Sequence, residues 1–174
     1  PLAYVIKACS SVLKDFEKIN SSLSEDGNSI ILKNYINIGF AADTENGLVV
    51  PVIKDADKKS LIEIAEELLS LSLKARAGKL SSDEMSGATF TISSLGGIGG
   101  TAFTPIINAP EVAILGLSRS TTQPVWNGSE FEPKLMLPLS FSYDHRVIDG
   151  AYAVRFTTAL CDALKKARNL SKKA

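Results

Sequence analysis

The residues that could do chemistry gather in one octapeptide, Tyr143-Asp144-His145-Arg146-Val147-Ile148-Asp149-Gly150, which holds the only histidine of the chain. An imidazole takes up and returns protons near neutrality, so His145 is the first candidate for a general base. On spacing alone, a single histidine serves structure as readily as catalysis. Asp149, set before Gly150 and a helical pattern, has the position of an N-cap. Asp144 and Arg146 have the spacing of a solvated ion pair of little energetic worth. Other chemistries lack their residues. The loop Leu95-Gly96-Gly97-Ile98-Gly99-Gly100-Thr101 has no Gly-Lys-Ser/Thr for a P-loop, and Ala102 stands where a dinucleotide fingerprint needs its third glycine. No Gly-x-Ser-x-Gly elbow is present. One histidine and two isolated cysteines cannot close a zinc site, so no metal is expected. Cys9 and Cys161 fall on the apolar faces of expected helices and read as buried, inert thiols.

The elements that must position His145 follow from periodicity. Apolar residues at Leu2, Val5, Ile6, Cys9, Val12, Leu13, Phe16 and Ile19 predict a helix from Pro1 to about Asn20. Ser21 to Ser29 reads as a loop. Asn46-Gly47 between β-like runs (Asn37–Ala42 and Leu48–Lys54) and Asn127-Gly128 between Thr121–Trp126 and Phe131–Lys134 predict two hairpins. Ser60-Leu61-Ile62-Glu63 is a capping box that opens a second helix, closed by Gly78. Ser81 to Glu84 repeats the box over a short stretch. Ala88–Ser94 alternates as a strand, and Val112–Leu117 is a continuous apolar run suited to a buried central strand. Leu135–Tyr143 reads as a strand that Pro138 confines to an edge or bulge. A closing helix follows Asp149-Gly150, with Lys165, Lys166 and Arg168 placed to complement its dipole. Helices alternating with hairpins indicate a two-layer α/β sandwich.

The chain has 174 residues, with 19 Lys+Arg balancing 19 Asp+Glu. That length suits one domain, and the neutral balance gives no electrostatic footprint for nucleic acid or an anionic membrane. No segment reads as a membrane span or as a signal peptide, and the two distant cysteines suit a reducing compartment, so a cytoplasmic location is expected.

The octapeptide resembles the His-x-x-x-Asp-Gly signature of the chloramphenicol acetyltransferase-like fold. More closely, it resembles the catalytic core of the dihydrolipoamide acyltransferases of the 2-oxo acid dehydrogenase complexes. Gly47–Ile53, Phe90–Gly100 and Thr104–Gly116 match segments of the same family, so the likeness extends over essentially the whole chain. Ser93-Ser94-Leu95-Gly96 is similar to the acetyl-transferring, pyruvate branch, where the succinyl branch usually shows Thr-Asn-Gly-Gly and the branched-chain branch Ser-Asn-Ile-Gly. Gln123–Trp126 and Pro133–Pro138 again look like the bacterial pyruvate-complex form.

The resemblance implies a mixed β-sheet with helices on one face and acetyl transfer between dihydrolipoamide and coenzyme A. It makes His145 the base, the hydroxyl of Ser93 the oxyanion donor, and Asp149 a residue that orients the site through an ion pair to an arginine. Coenzyme A and a lipoyl group on a separate domain would be the substrates. It also implies a homotrimer, with His from one subunit and Ser from its neighbour at each site. Such trimers build a larger core that binds the pyruvate decarboxylase and dihydrolipoamide dehydrogenase components. On this reading residues 1–174 are one acyltransferase catalytic domain, incomplete at its N-terminal end. Alternatives are a succinyl- or branched-chain acyltransferase, a transferase acting on a free small molecule, or a non-catalytic scaffold core.

Overall fold

The computed structural model describes the backbone of residues 1–171 and the side chains of residues 1–166. A five-stranded sheet carries the fold. Its strands are β3 (Ile38–Phe40), β6 (Val52–Ile53), β7 (Phe90–Ser94), β8 (Ala113–Leu117) and β11 (Leu139–Tyr143), in the order β11-β8-β7-β3-β6. The β3–β7 and β7–β8 pairs are parallel, and β11–β8 and β3–β6 are antiparallel, so the sheet is mixed as expected. Helix α1 (Leu2–Val12) packs against both α2 (Leu61–Arg76) and α3 (Gly150–Ser171). Helices and sheet bury one apolar core between them, with Phe40, Phe90, Ile92, Leu115 and Phe156 at its centre.

Local signals set several elements. Ser60 accepts from the Glu63 N–H, and the Glu63 carboxylate accepts from the Ser60 N–H, so the capping box opens α2 as read. Gly78 closes it at φ +64°, a conformation that glycine adopts without a Cβ penalty. Ser60→Ala is therefore expected to cost about 1 kcal/mol of stability, read as a lower urea midpoint at unchanged m-value. The second hairpin forms as read, β9 (Thr121–Trp126) with β10 (Phe131–Met136), whereas the first is displaced. There β4 (Ala42–Thr44) pairs with β5 (Gly47–Val49), and the expected runs Asn37–Ala42 and Leu48–Lys54 meet instead through β3 and β6 in the main sheet. All five residues of β8 are buried, as the apolar run requires.

Other elements differ from the sequence reading. The first helix stops at Val12, and a single 3-10 turn, Leu13–Asp15, follows. The apolar stripe runs on because Phe16 packs edge-on against Tyr152 and Phe156, at ring separations of 5.4 and 5.5 Å, although its backbone has left the helix. The expected loop after Asn20 contains a strand, β1 (Ser21–Leu23), paired with β2 (Ile30–Leu32). The Asn20 side chain fixes that turn by donating to the carbonyls of Lys33 and Tyr35. Leu135–Tyr143 divides at Pro138, leaving Leu135 and Met136 in β10 and β11 at the sheet edge. Cys9 is buried, and burial pushes its thiol well above the usual range, whereas Cys161 is exposed, contrary to expectation. Arg168 lies outside the described side chains.

Candidate active site

Strand β11 delivers the histidine. Its last residue, Tyr143, pairs with Ala113, and the Asp144 N–H extends the ladder to the Val112 carbonyl at 2.8 Å. The Asp144 carbonyl then accepts from the N–H groups of Val147 and Ile148, both at 3.0 Å, closing a turn. Val147 and Ile148 are buried and anchor that turn in the core, leaving His145 exposed at its tip. The Tyr143 ring lies 5.7 Å from the imidazole, tilted by 42°. A side chain that is exposed, yet held from both ends by hydrogen bonds and core anchors, is placed to meet a substrate at small conformational cost.

The two acids beside it have other partners. Both oxygens of Asp144 accept from the Arg146 guanidinium, which holds this carboxyl below the usual range. Asp149 caps α3: its Oδ1 accepts from the Tyr152 N–H at 2.8 Å. That bond is the main cause of its lowered pKa, with the Ala151 N–H and the charges of Arg155 and Lys18 adding to it. Among the described residues no arginine forms an ion pair with Asp149. The capping reading therefore accounts for its contacts.

Ser93 sits near the end of β7, half-buried, and among the described residues its hydroxyl has no hydrogen-bond partner. It pairs with Gly116 of β8, which in turn pairs with Ser140 of β11. Phe103 lies against Gly116, where a Cβ would come within 2.7 Å of its ring. Beside it, residues 102–105 and Ser140, Phe141 and Ser142 line an open cavity of about 420 Å³. The register also fixes how far apart the two candidates are. Ser93 is level with Ser140, five residues before His145 and two strands away. At about 3.3 Å per residue and 4.8 Å per strand, the separation is roughly 19 Å. One chain does not bring Ser93 and His145 together.

Among the described residues no three His, Cys, Asp or Glu side chains cluster to hold a metal ion, and no helix is long and apolar enough to cross a membrane. One ionisable group escaped the sequence reading. Glu111 is half-buried beside Thr91, whose hydroxyl donates to its Oε1 at 2.8 Å, and burial pushes its carboxyl up to about 7. Its only sequence signal is a lone acid abutting the apolar run that becomes β8.

The comparisons agree with this architecture. Residues 1–171 match the family model described as 2-oxoacid dehydrogenases acyltransferase (catalytic domain). The chain is 59% identical over 169 residues to the dihydrolipoyllysine-residue acetyltransferase component of the pyruvate dehydrogenase complex of Pseudomonas aeruginosa. That match covers 97% of this chain and 31% of the relative, so the chain spans about a third of that protein's length. A structure solved to establish the roles of a serine, a histidine and an asparagine in the catalytic mechanism of Azotobacter vinelandii dihydrolipoamide acetyltransferase superposes with a TM-score of 0.94. It is 58% identical, over 97% of this chain and 69% of that one. The structure of the cubic core of a pyruvate dehydrogenase multienzyme complex gives the same figures. A chloramphenicol acetyltransferase, at 15% identity and a TM-score of 0.61, shares the fold. On the family match and the near-identical fold, this chain belongs to the 2-oxoacid dehydrogenase acyltransferases, as their catalytic domain.

Proposed function

We propose that this chain transfers an acetyl group between the thiol of dihydrolipoamide and that of coenzyme A, as the acyltransferase of a pyruvate dehydrogenase complex. The observation that carries the reading is a shared spacing on a shared fold. Ser93 precedes His145 by 52 residues and Asp149 follows it by four, the separations of the serine, histidine and asparagine studied in the Azotobacter vinelandii structure.

The chemistry suits these groups. A free thiol with a pKa near 8.5 is only a few per cent ionised at pH 7, so transfer benefits from a base. His145 takes the proton from the attacking thiol as its sulfur bonds to the thioester carbonyl carbon. The resulting oxyanion accepts a hydrogen bond from the Ser93 hydroxyl. The intermediate collapses by breaking the bond to the departing sulfur, which recovers the proton from the imidazolium. No acyl-enzyme is needed, in keeping with the distance in sequence of both cysteines from His145.

Because Ser93 and His145 stand apart in one chain, the working site pairs the His145 of one copy with the Ser93 of another. A homotrimer satisfies that requirement by cyclic symmetry. In this reading residues 1–174 are one catalytic domain, with coenzyme A and a lipoyl group on a separate domain as substrates. Trimers assemble into a larger core that meets pyruvate decarboxylase and dihydrolipoamide dehydrogenase components in the cytoplasm.

The test measures transfer from acetyl-, succinyl- and isobutyryl-coenzyme A to dihydrolipoamide, with chloramphenicol as a competing acceptor. Acetyl transfer to dihydrolipoamide should be fastest. Faster succinyl or isobutyryl transfer would move the chain to a sister branch, and preference for chloramphenicol would overturn the lipoyl reading. Asp149→Asn should leave kcat within a few fold and stability within about 0.5 kcal/mol, because asparagine caps a helix as well as aspartate does. A large loss of kcat at unchanged stability would instead restore the ion-pair role for Asp149.

A further inference from the structure

Glu111 has chemistry that the proposed mechanism does not use. Its Oε1 accepts the Thr91 hydroxyl at 2.8 Å, and Thr91 in turn accepts from the Asn108 side-chain amide at 3.4 Å. Thr91 is fully buried and pinned from behind by Gly39, where a Cβ would lie 2.8 Å from its Oγ1. The other carboxyl oxygen, Oε2, is shut off from solvent and has no hydrogen-bond partner among the described residues. An ionised carboxylate with one buried, unsatisfied oxygen is costly, whereas a neutral carboxylic acid in the same place loses far less solvation.

The position matters as much as the group. The Glu111 N–H donates to the Asn108 carbonyl at 2.9 Å, and its backbone forms a bridge to Ser22 beside β1. The next residue, Val112, is buried, and its carbonyl accepts the Asp144 N–H that starts the His145 turn. The β8–β11 ladder ends at the Val112–Asp144 bond, so Glu111 stands one residue before the last link that holds the His145 turn.

We propose that Glu111 is a positioning residue held as a neutral acid, clamped through Thr91 so that the segment Asn108–Val112 holds the His145 turn in its productive place. The link to catalysis rests on the acetyl-transfer reading; the neutral acid does not. Burial is the main influence on this carboxyl, with the Thr91 hydroxyl working against it. Of the elements packed against it, β7 presents Thr91, the preceding loop Asn108, and β1 Ser22. Asp144, linked to Val112 through its N–H, is taken up by Arg146. No cation from these elements pairs with Glu111. Its ionisation then forces the carboxyl toward water and loosens the Val112–Asp144 link.

Two measurements on the intact chain and its Glu111→Gln variant decide the matter, the amide reproducing the shape of the neutral acid without its titration. The first is the folding equilibrium across pH. In the unfolded chain this carboxyl ionises around 4.5 and in the folded one around 7, so wild-type stability falls as pH rises between those values and is level above them. The variant lacks that loss, and the ratio of its folding constant to the wild type's should grow about a hundredfold from pH 4.5 to pH 8. A constant ratio would overturn the neutral acid.

The second is the pH dependence of acetyl transfer. Relative to wild type, Glu111→Gln should gain about tenfold in kcat as pH rises through neutrality, with KM little changed. Parallel profiles alongside a confirmed stability difference would reduce Glu111 to a structural role. Should neither protein transfer acetyl, the functional reading fails by itself, and the NMR signal of the only imidazole replaces the assay. In wild type that signal should show a second inflection, absent in Glu111→Gln. The same curve in both would overturn the positioning role.

Discussion

Replacing His145 by alanine is expected to lower kcat for acetyl transfer by about a thousandfold while leaving the fold intact. Positioned general bases contribute roughly 10²–10⁴ in rate, and this chain offers no second imidazole to substitute. The neighbouring acids are poor replacements, since Asp144 is spent on Arg146 and Asp149 on the first turn of α3. The loss should appear in kcat and kcat/KM alike, because the base acts on the proton in flight and contributes little to holding either substrate. Stability should move by less than about 0.5 kcal/mol, as His145 is exposed and the turn is held by backbone bonds and by Val147 and Ile148. Thermal unfolding and initial rates on the same preparation check both halves. A variant that keeps its rate removes His145 from the mechanism, and one that loses rate by unfolding leaves the role to structure.

How far the sequence reached depends on how local each determinant is. The capping box at Ser60 and Glu63 is written within a few residues and forms as read. Both Asn-Gly sites also sit at hairpins, although at the first the loop is Glu45-Asn46 and Gly47 already belongs to the strand. The end of α1 is not local. Phe16 keeps the helical apolar rhythm, but its partners are Tyr152 and Phe156, far along the chain, and the packing outweighs the periodicity. Strand β1 was missed for a related reason, since Ser21–Leu23 is polar and exists because Ile30–Leu32 folds back onto it. Cys161 shows the limit of the helical stripe, because a residue one position off the packed face of α3 is exposed.

The candidate site divides in the same way. The His145 turn is legible because its residues are contiguous, and the resemblance added Ser93. The distance between the two follows from strand order, and no single segment encodes that β8 lies between β7 and β11. Glu111 was invisible for a third reason. Its oddity is burial, produced by Thr91 and the segment from Asn108, and in the sequence it is one acid among 19 acidic residues.

The same geometry makes Ser93 the sharper experiment. Ser93→Ala is expected to lower kcat by about a hundredfold or more with KM little changed, the usual loss when one oxyanion donor is removed. The folded chain should tolerate the change, because the hydroxyl has no protein partner among the described residues and alanine fits a half-buried strand position. Alone, that result would not say whose imidazole Ser93 serves. Mixing does. If each site takes His145 from one copy and Ser93 from the next, co-assembling equal amounts of His145→Ala and Ser93→Ala chains creates sites with both groups intact. Random cyclic trimers would hold them at about one quarter of positions, so activity should return to about a quarter of wild type. The mixture must be denatured and refolded together, while chains mixed after assembly stay inactive and serve as the control. Activity no higher than that control would mean that one chain supplies both groups. The register opposes that outcome, since closing roughly 19 Å would require β11 to slide along β8 and break the ladder that places His145.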